Sequence, residues 1–346
     1  MLLNKSNVQK IIEIVKGHFV ISLDYEIHWG VFDKKSVQDY HENLSSVNFV
    51  IDRLLELSNR YDVKLTFSTV GLLFAENKED LILHSPKQKP SYSNRKFNPY
   101  NLISDIGNSE RDDPFHYALS GIQKIKNTKN HELGTHTFCH FYCHELGQTA
   151  EQFSCDLKAA KNIANKHNIE IKSIVFPRNM IEADNIVDKP YLDVCEKHGI
   201  TSFRGKEKSF IYNIHTTKAY HGWYIFKLLR LLDSYVNLTG QNTYNVEYIN
   251  QNKSIINLPS SRLLRAFSNR LKIMEPLKIR RVTKAMTHAA QNNEMFHLWW
   301  HPHNFGAQIN ENFNNLETIF KHFKLLNSVY GFESETMTGL SNKIKR

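Results

Sequence analysis

Short apolar runs alternate with helical periods along most of this chain, and this order leaves few folds open. Residues 18–23 form an apolar, β-branched run, residues 46–61 repeat apolar residues with a helical period, and residues 63–70 form a second apolar run. A strand, a helix and a second strand in this order form a βαβ unit, whose two strands are parallel. The pattern therefore predicts an α/β fold built on a parallel sheet or barrel. Further predicted strands are 132–137, 171–176, 200–203 and 295–300.

Amphipathic segments between these runs predict the helices. Residues 149–167 begin with the capping-box sequence Thr149-Ala-Glu-Gln. By contrast, residues 76–130 are rich in Lys, Asn, Ser, Pro and Asp, which indicates an insertion or a lid. With 346 residues, 41% of them hydrophobic, the chain is long enough for one barrel domain over 1–346 that ends in a helix and tail at 311–346. The other predicted helices are 190–198, 223–236, 275–292 and 313–330.

Acidic and histidine side chains follow the ends of three predicted strands. Asp24 and Glu26 follow the first strand, His136 and His140 follow the strand at 132, and His301 follows the last strand. Two histidines four residues apart lie on one face of a helix or helical turn and can bind one divalent cation, which one of the two acids would complete. Ligands bind at the carboxyl ends of strands in barrels and open α/β sheets. The sequence therefore predicts a metal-dependent hydrolase.

Charge and cysteine content narrow the choice of partner and compartment. The net charge of +9 and the pI of about 9.1 fit a solvated basic surface, an anionic polymer or an anionic membrane. Because no Lys/Arg run is interleaved with aromatic residues, we expect no nucleic-acid partner. The apolar helix at 223–236, which carries Lys227 and Arg230, is predicted to pack on the barrel, with peripheral membrane contact as the alternative. Four cysteines, no signal peptide at 1–17 and no transmembrane run predict a cytoplasmic protein.

Cys139 and Cys143 leave open a second kind of metal site. With His140 and His144 they could form a Cys/His structural zinc site. No second cysteine pair with this spacing occurs in the chain, so we favour the reading that they are buried thiols.

The motifs, taken in order, resemble the polysaccharide deacetylase family (NodB-homology, carbohydrate esterase family 4). Residues 22–30 resemble its first motif, 135–140 the second, 175–179 the third and 298–304 the fifth. The resemblance implies a distorted (β/α) barrel with seven or eight parallel strands, here with an inserted segment. It also implies a divalent metal, usually Zn²⁺ with Co²⁺ or Ni²⁺ as alternatives, and removal of an acetyl group from an N-acetylated sugar in cell-surface polysaccharide or lipopolysaccharide assembly.

The chain departs from the family pattern at three points. Tyr25 separates the two acids of the first motif, Arg178 follows Pro177 instead of preceding it, and no fourth motif supplies an acid for the last histidine.

The resemblance assigns roles to individual residues. The metal ligands would be Glu26, His136 and His140. Asp24 would be the general base and Arg178 its ion-pair partner, while His301 would be the general acid, with His303 as the alternative acid. Trp29, Trp299 and Trp300 could stack on sugar rings, although strand alternation buries either Trp299 or Trp300. The predicted substrate contacts are Trp29, Arg204, Arg262, Trp300 and His303.

Three functions remain open from the sequence. The favoured one is sugar N-deacetylation, on a glycan that is anionic or linked to a lipid or nucleotide, because arginines suit such groups. A deformylase or other amide hydrolase on the same barrel would differ in the size of the acyl pocket. A non-catalytic glycan-binding or scaffolding relative is the third.

Overall fold

The structure is a computed structural model that describes residues 16–213, 223–249 and 253–345. Within these ranges, eight parallel strands form a sheet in the order β6-β5-β4-β3-β2-β1-β8-β7, and β9 pairs with β1 beside it. The predicted α/β fold and parallel pairing are confirmed. The strands are β1 (His18–Tyr25), β2 (Thr66–Thr69), β3 (Glu132–Thr135), β4 (Ser173–Ile174), β5 (Ser202–Phe203), β6 (Ile256–Asn257), β7 (Arg262–Leu263), β8 (Met295–Trp300) and β9 (Glu333–Glu335).

Strand β1 is the centre of the sheet, and all eight of its residues are buried. It pairs in parallel with β2 on one side and with β8 on the other. Side chains alternate along the strand, so Phe19, Ile21 and Leu23 pack with the surrounding helices while Val20 joins a separate inner cluster. Burial on both faces explains why the sequence of a central parallel strand is almost continuously apolar.

The sheet curls into a half-barrel. Arg204, directly after β5, contacts Asp24 of β1 although three strands lie between β5 and β1 in the sheet order. The inner cluster contains Val20 and Met295 together with Met337 from the C-terminal helix. The interior is therefore apolar near the start of β1 and polar near its carboxyl end, which agrees with the predicted distorted (β/α) barrel.

Helices surround the curled sheet. Their buried residues recur with a helical period, as in the helix Val47–Arg60, which buries Val50, Ile51 and Leu54. The capping box predicted at Thr149 is present, with reciprocal hydrogen bonds between Thr149 and Gln152. The helices are α1 (His41–Ser45), α2 (Val47–Arg60), α3 (Lys78–His84), α4 (Leu119–Asn127), α5 (Ala150–Lys166), α6 (Lys189–Lys197), α7 (Phe210–Asn213), α8 (Trp223–Asp233), α9 (Val246–Ile249), α10 (Glu275–Gln291), α11 (Ile309–Tyr330) and α12 (Met337–Ile344).

The polar segment 76–130 contains two helices, α3 and α4, and contributes to the outer core. Leu81, Ile106 and Ile122 are buried in it. Its predicted role as a lid stays a prediction.

Helix α8 differs from its predicted packing. The prediction that its apolar residues pack on the barrel is wrong, because Ile225, Leu228 and Leu232 are exposed. No helix in the described ranges is long and apolar enough to cross a membrane. The predicted absence of a signal peptide concerns a segment of which residues 1–15 lie outside the described residues.

Candidate metal centre

The carboxyl end of β1 brings two acids into the interior. Asp24 and Glu26 are two residues apart, so strand alternation directs both to the same side, and both are almost fully buried. After Glu26 the chain makes a tight turn over Ile27–Gly30. A Cβ at Gly30 would lie 1.9 Å from Cδ of Glu26, so only glycine leaves room for this carboxylate.

The histidine pair lies on an irregular loop after β3, so the predicted helical turn is wrong. Thr137 and His140 have φ angles of +66° and +58°, which no right-handed helix contains. The buried carboxylate of Asp156 replaces the helical hydrogen bonds, because it accepts the backbone N–H groups of Phe138 and Cys139 at 2.7 and 3.1 Å. Burial raises the pKa of Asp156 to about 6.

Both histidine rings nevertheless converge on Glu26. Oε2 of Glu26 lies 3.1 Å from Nε2 of His136 and 3.1 Å from Nε2 of His140. Nδ1 of His136 donates a hydrogen bond to the carbonyl of Val175 at 2.8 Å, and Nδ1 of His140 lies 3.2 Å from the hydroxyl of Tyr142. The outer ring nitrogens are thus occupied, which orients the inner ones as metal ligands usually are.

The charges of this triad suit a divalent cation. Burial alone would raise the pKa of Glu26, but His301 and hydrogen bonds from His136 and His140 outweigh it and hold the pKa well below its usual value. Burial lowers the pKa of His140, which favours its neutral, metal-binding form. The three ligand atoms lie within 4.8 Å of one another. Two imidazoles and one carboxylate form a donor set typical of catalytic zinc, so the residues fit the implied metal.

Arg204 is the partner of the second acid, Asp24. Its Nη1 and Nη2 bind Oδ1 and Oδ2 of Asp24 at 2.7 and 2.8 Å, and both side chains are buried. Burial would raise the pKa of Asp24, but Arg204, His136 and His301 together outweigh burial and lower this pKa, so Asp24 is ionised at neutral pH. The predicted pairing of Arg178 with Asp24 is wrong. Arg178 has a φ of +67°, and its guanidinium contacts Glu145 and stacks on Tyr142 instead.

Ser22 and His297 fix the orientation of Arg204. Nδ1 of His297 lies 2.9 Å from the carbonyl of Leu258, which can only accept, so this nitrogen carries the proton. Burial lowers the pKa of His297 to about 3, so Nε2 is unprotonated and accepts from the hydroxyl of Ser22 at 2.9 Å. The oxygen of Ser22 is then free to accept from Nη1 of Arg204 at 2.9 Å. The direction of each hydrogen bond from Arg204 through Ser22 and His297 to Leu258 is therefore determined.

His301 completes the centre from β8. Its Nε2 lies 3.4 Å from Oε1 of Glu26 and 3.6 Å from Oδ2 of Asp24, and its side chain is 24% exposed. Its Nδ1 lies 3.3 Å from the side-chain amide of Asn304, whose oxygen accepts from the hydroxyl of Tyr40 at 2.7 Å. The sequence offered no acid that would orient His301, and in the structure the side-chain amide of Asn304 contacts this histidine instead.

The predicted substrate contacts are largely buried. Trp29 donates its indole N–H to the backbone of His116, and Trp300 stacks on Phe305, so the prediction that these two rings stack on sugars is wrong. Strand alternation turns Trp299 inward instead, where its ring covers the guanidinium of Arg204 at 4.2 Å.

The other two predicted contacts are also buried. Arg262 pairs with Asp233 at 3.0 Å. His303 lies against His301 with 5.3 Å between ring centroids, and burial lowers the pKa of His303 to about 3. Their role in substrate binding stays a prediction.

Sequence reasoning missed three contributors to the centre. His297 and Trp299 share the inward face of β8 with His301, and the two-residue spacing could have revealed both. Asn304 had no such signal, because its contact depends on the turn after β8.

The rival cysteine site is not formed by the described residues. Cys139 and Cys143 are buried, and burial raises the pKa of both thiols. The only candidate metal group found among the described residues is Glu26, His136 and His140.

Comparisons with known proteins give the fold. No protein-family model matches the chain, and no curated protein matches it by sequence. A crystal structure assigned as a polysaccharide deacetylase from Mycobacterium smegmatis matches with a TM-score of 0.56 and 10% identity, over 95% of this chain and 91% of that chain.

Proteins with other activities share this architecture. A GH57-type branching enzyme from Pyrococcus horikoshii matches with a TM-score of 0.53 and 12% identity, over 94% of this chain and 70% of that one. The allantoinase Puue matches with a TM-score of 0.52 and 8% identity, over 95% and 90%. At such low sequence identities the structural similarity establishes the architecture alone, and the reaction has to be argued from the residues of the site. The chain therefore shares the fold of the structure assigned as a polysaccharide deacetylase.

Proposed function

We propose that this protein is a metal-dependent hydrolase that removes the acetyl group from an N-acetylated sugar. The observation that carries the proposal is the convergence of Glu26, His136 and His140 beside an ionised Asp24 and a partly exposed His301. These groups come from the carboxyl ends of β1, β3 and β8, where barrels of this kind carry their active sites. The fold, shared with a deacetylase, supports the same reaction class.

Glu26, His136 and His140 would hold the metal, and their donor types are those of catalytic Zn²⁺ sites. When bound, it would polarise the acyl carbonyl and lower the pKa of the attacking water. Glu26 supplies one negative charge to this position, and His136 and His140 supply neutral nitrogen ligands.

Proton transfers fall to Asp24 and His301. Asp24 would accept a proton from the attacking water, since Arg204 keeps its carboxylate ionised and fixes both oxygens. His301 would donate a proton to the amine nitrogen as the C–N bond breaks, which releases acetate and the free amine. His303 is a poorer choice for the acid, because its ring is buried and its lowered pKa keeps it neutral.

Metal content and acetate release test the proposal together. We expect roughly one zinc-type ion per wild-type chain and loss of that ion in His140→Ala. His41→Ala, on an exposed histidine, is the matched control and should retain the ion. Equal metal content in wild type and His140→Ala would reject the site. A metal-loaded protein that releases no acetate from N-acetylated hexosamines or their oligomers would reject the reaction while keeping the metal centre.

A further inference from the structure

Helix α8 presents an apolar stripe to solvent. Ile225, Leu228 and Leu232 are spaced three and four residues apart and therefore lie on one helix face. They are 61%, 54% and 40% exposed, and Val236, one further turn along, is 50% exposed. A helix of a globular protein normally turns such a stripe toward the core. Contiguous exposed apolar surface of this kind usually marks an interaction site.

Almost all of the net charge of the chain lies in the same region. Residues 223–285 contain 11 Lys and Arg and 3 Asp and Glu, a net charge of +8 out of +9 for the whole chain. Two of the three acids, Asp233 and Glu275, are buried. In the described parts of the chain, no ion pair involves the four exposed cations Arg270, Lys272, Arg280 and Lys284.

Two hydrogen-bonded contacts join the end of α8 to the segment 262–265, which leads directly to Arg270 and Lys272. Asp233, at the end of α8, pairs with Arg262, and the hydroxyl of Ser234 accepts from Nε of Arg265 at 2.9 Å. The turn Asn269–Met274 follows Arg265 closely and carries Ile273, which is 87% exposed. We call the surface formed by Ile225, Leu228, Leu232, Val236, Arg270, Lys272 and Ile273 the basic-apolar face.

We propose that the basic-apolar face docks the protein on a membrane surface that contains anionic phospholipid. Apolar side chains flanked by Lys and Arg bind such surfaces by inserting into the headgroup boundary while the cations meet lipid phosphates. A nucleic acid would bind the cations but would make no use of the aliphatic stripe, because proteins bind single strands by aromatic stacking and duplexes through polar contacts. The combination of the two features therefore selects a membrane.

The same face is built from connections that begin at the end of the barrel that carries the candidate metal centre. Helix α8 lies between β5 and β6, and the turn Asn269–Met274 follows β7, so both leave the carboxyl ends of strands. If the proposed function holds, docking would bring the centre close to a glycan carried on a lipid. The docking itself does not depend on that function.

Vesicle flotation of the full chain tests the docking, and needs neither metal nor activity. The probes are vesicles of phosphatidylcholine alone and vesicles that also contain phosphatidylglycerol. We expect binding only to the anionic vesicles, and release at high salt because of charge screening. Leu228→Ser with Leu232→Ser should weaken binding about tenfold or more, and Arg270→Gln with Lys272→Gln by a similar factor.

Matched controls distinguish binding through this face from nonspecific binding through other exposed apolar or charged residues. Leu325→Ser with Val329→Ser changes two apolar residues that are 57% and 59% exposed, four residues apart on α11. Lys129→Gln with Lys158→Gln removes two exposed charges elsewhere. Both controls should bind as the wild type does, and circular dichroism should show that all variants are folded.

Three results would overturn the proposal. One is failure of the wild type to float with the anionic vesicles. Another is unchanged binding in both variants of the basic-apolar face. The third is tight binding of a DNA duplex that requires Arg270 and Lys272 but not Leu228 and Leu232, which would assign the face to nucleic acid instead.

Discussion

The contact between Asp24 and Arg204 determines which arginine orients the proposed general base. Two buried charges are tolerated only when they pair with good geometry. This pair is bidentate, and Ser22 and Asn179 accept two further guanidinium N–H groups, so four of the five are hydrogen-bonded. The sequence motif pointed to Arg178, which is one-third exposed and engaged by Glu145. An arginine from the next strand thus takes the position expected of the third motif.

Replacing each arginine by lysine distinguishes the two at the residue scale. Arg204→Lys keeps the charge but loses the two-pronged contact, so we expect kcat to fall about tenfold or more while the metal content stays unchanged. Arg178→Lys should leave kcat within about threefold, because an exposed ion pair contributes little. Steady-state kinetics on the metal-loaded proteins would measure both. A larger loss in Arg178→Lys than in Arg204→Lys would contradict this assignment.

At the scale of elements, the loop after β3 is held in place by a side chain and not by helical hydrogen bonds. Asp156, on α5, ties the backbone at Phe138 and Cys139 and thereby fixes the separation of His136 and His140. The same two residues would lie on one face of a helix at this spacing, so the spacing alone could not distinguish helix from loop. The left-handed residues Thr137 and His140 are what the loop requires instead.

Removal of this anchor should affect both stability and metal binding. In Asp156→Ala two buried N–H groups lose their acceptor, which we expect to lower the free energy of unfolding by about 2–5 kcal/mol. The metal affinity should fall as well, since the histidines lose their fixed separation. The control Asp193→Ala removes an exposed acid of α6 and should change stability by less than about 0.5 kcal/mol. Denaturant unfolding and metal titration give the two readouts, and an unaffected metal affinity would show that the loop is positioned by other contacts.

At the scale of the whole molecule, the fold holds several histidines in its interior or partly buried, in their neutral form. Burial lowers the pKa of His18 and His131 to about 4 and the pKa of His297 and His303 to about 3. The unfolded chain would protonate these groups near pH 6.5, but the folded chain resists protonation until the pH is much lower. Their combined effect is a loss of stability as pH falls below 6.5. Asp156, whose pKa is raised, acts in the opposite direction between about pH 4 and pH 6.

His131 isolates this effect far from the metal centre. It accepts a hydrogen bond from the backbone of Leu65 and its shifted pKa has burial as its cause. Between pH 7 and pH 4, His131→Gln should lose ~3 kcal/mol less unfolding free energy than the wild type does. His41→Gln, on an exposed histidine, should follow the wild type. Urea unfolding at a series of pH values measures the slopes, and parallel slopes for wild type and His131→Gln would contradict the expectation.

The sequence alone determined the parts of this protein that follow from local pattern. Apolar runs predicted six of the nine strands, all but β6, β7 and β9. A capping box predicted the start of α5, and alternation along β1 directed Asp24 and Glu26 to one side. The three proposed metal ligands were also named from motif and spacing, because each directly follows a strand or lies on the loop after one. These features depend on residues close together in the chain, so periodicity reveals them.

Only the tertiary structure decided which side chains from distant strands meet. The curl of the sheet brings Arg204 to Asp24 and Ser22, and the pairing of β1 with β8 brings His297 to Ser22, although Arg204 and His297 are each more than 180 residues away from Ser22 in the chain. It also buries Trp300, turns Trp299 toward the centre and leaves the stripe on α8 exposed. These outcomes depend on how far the sheet curls and on what packs against each helix. Both are properties of the whole chain that no local period encodes.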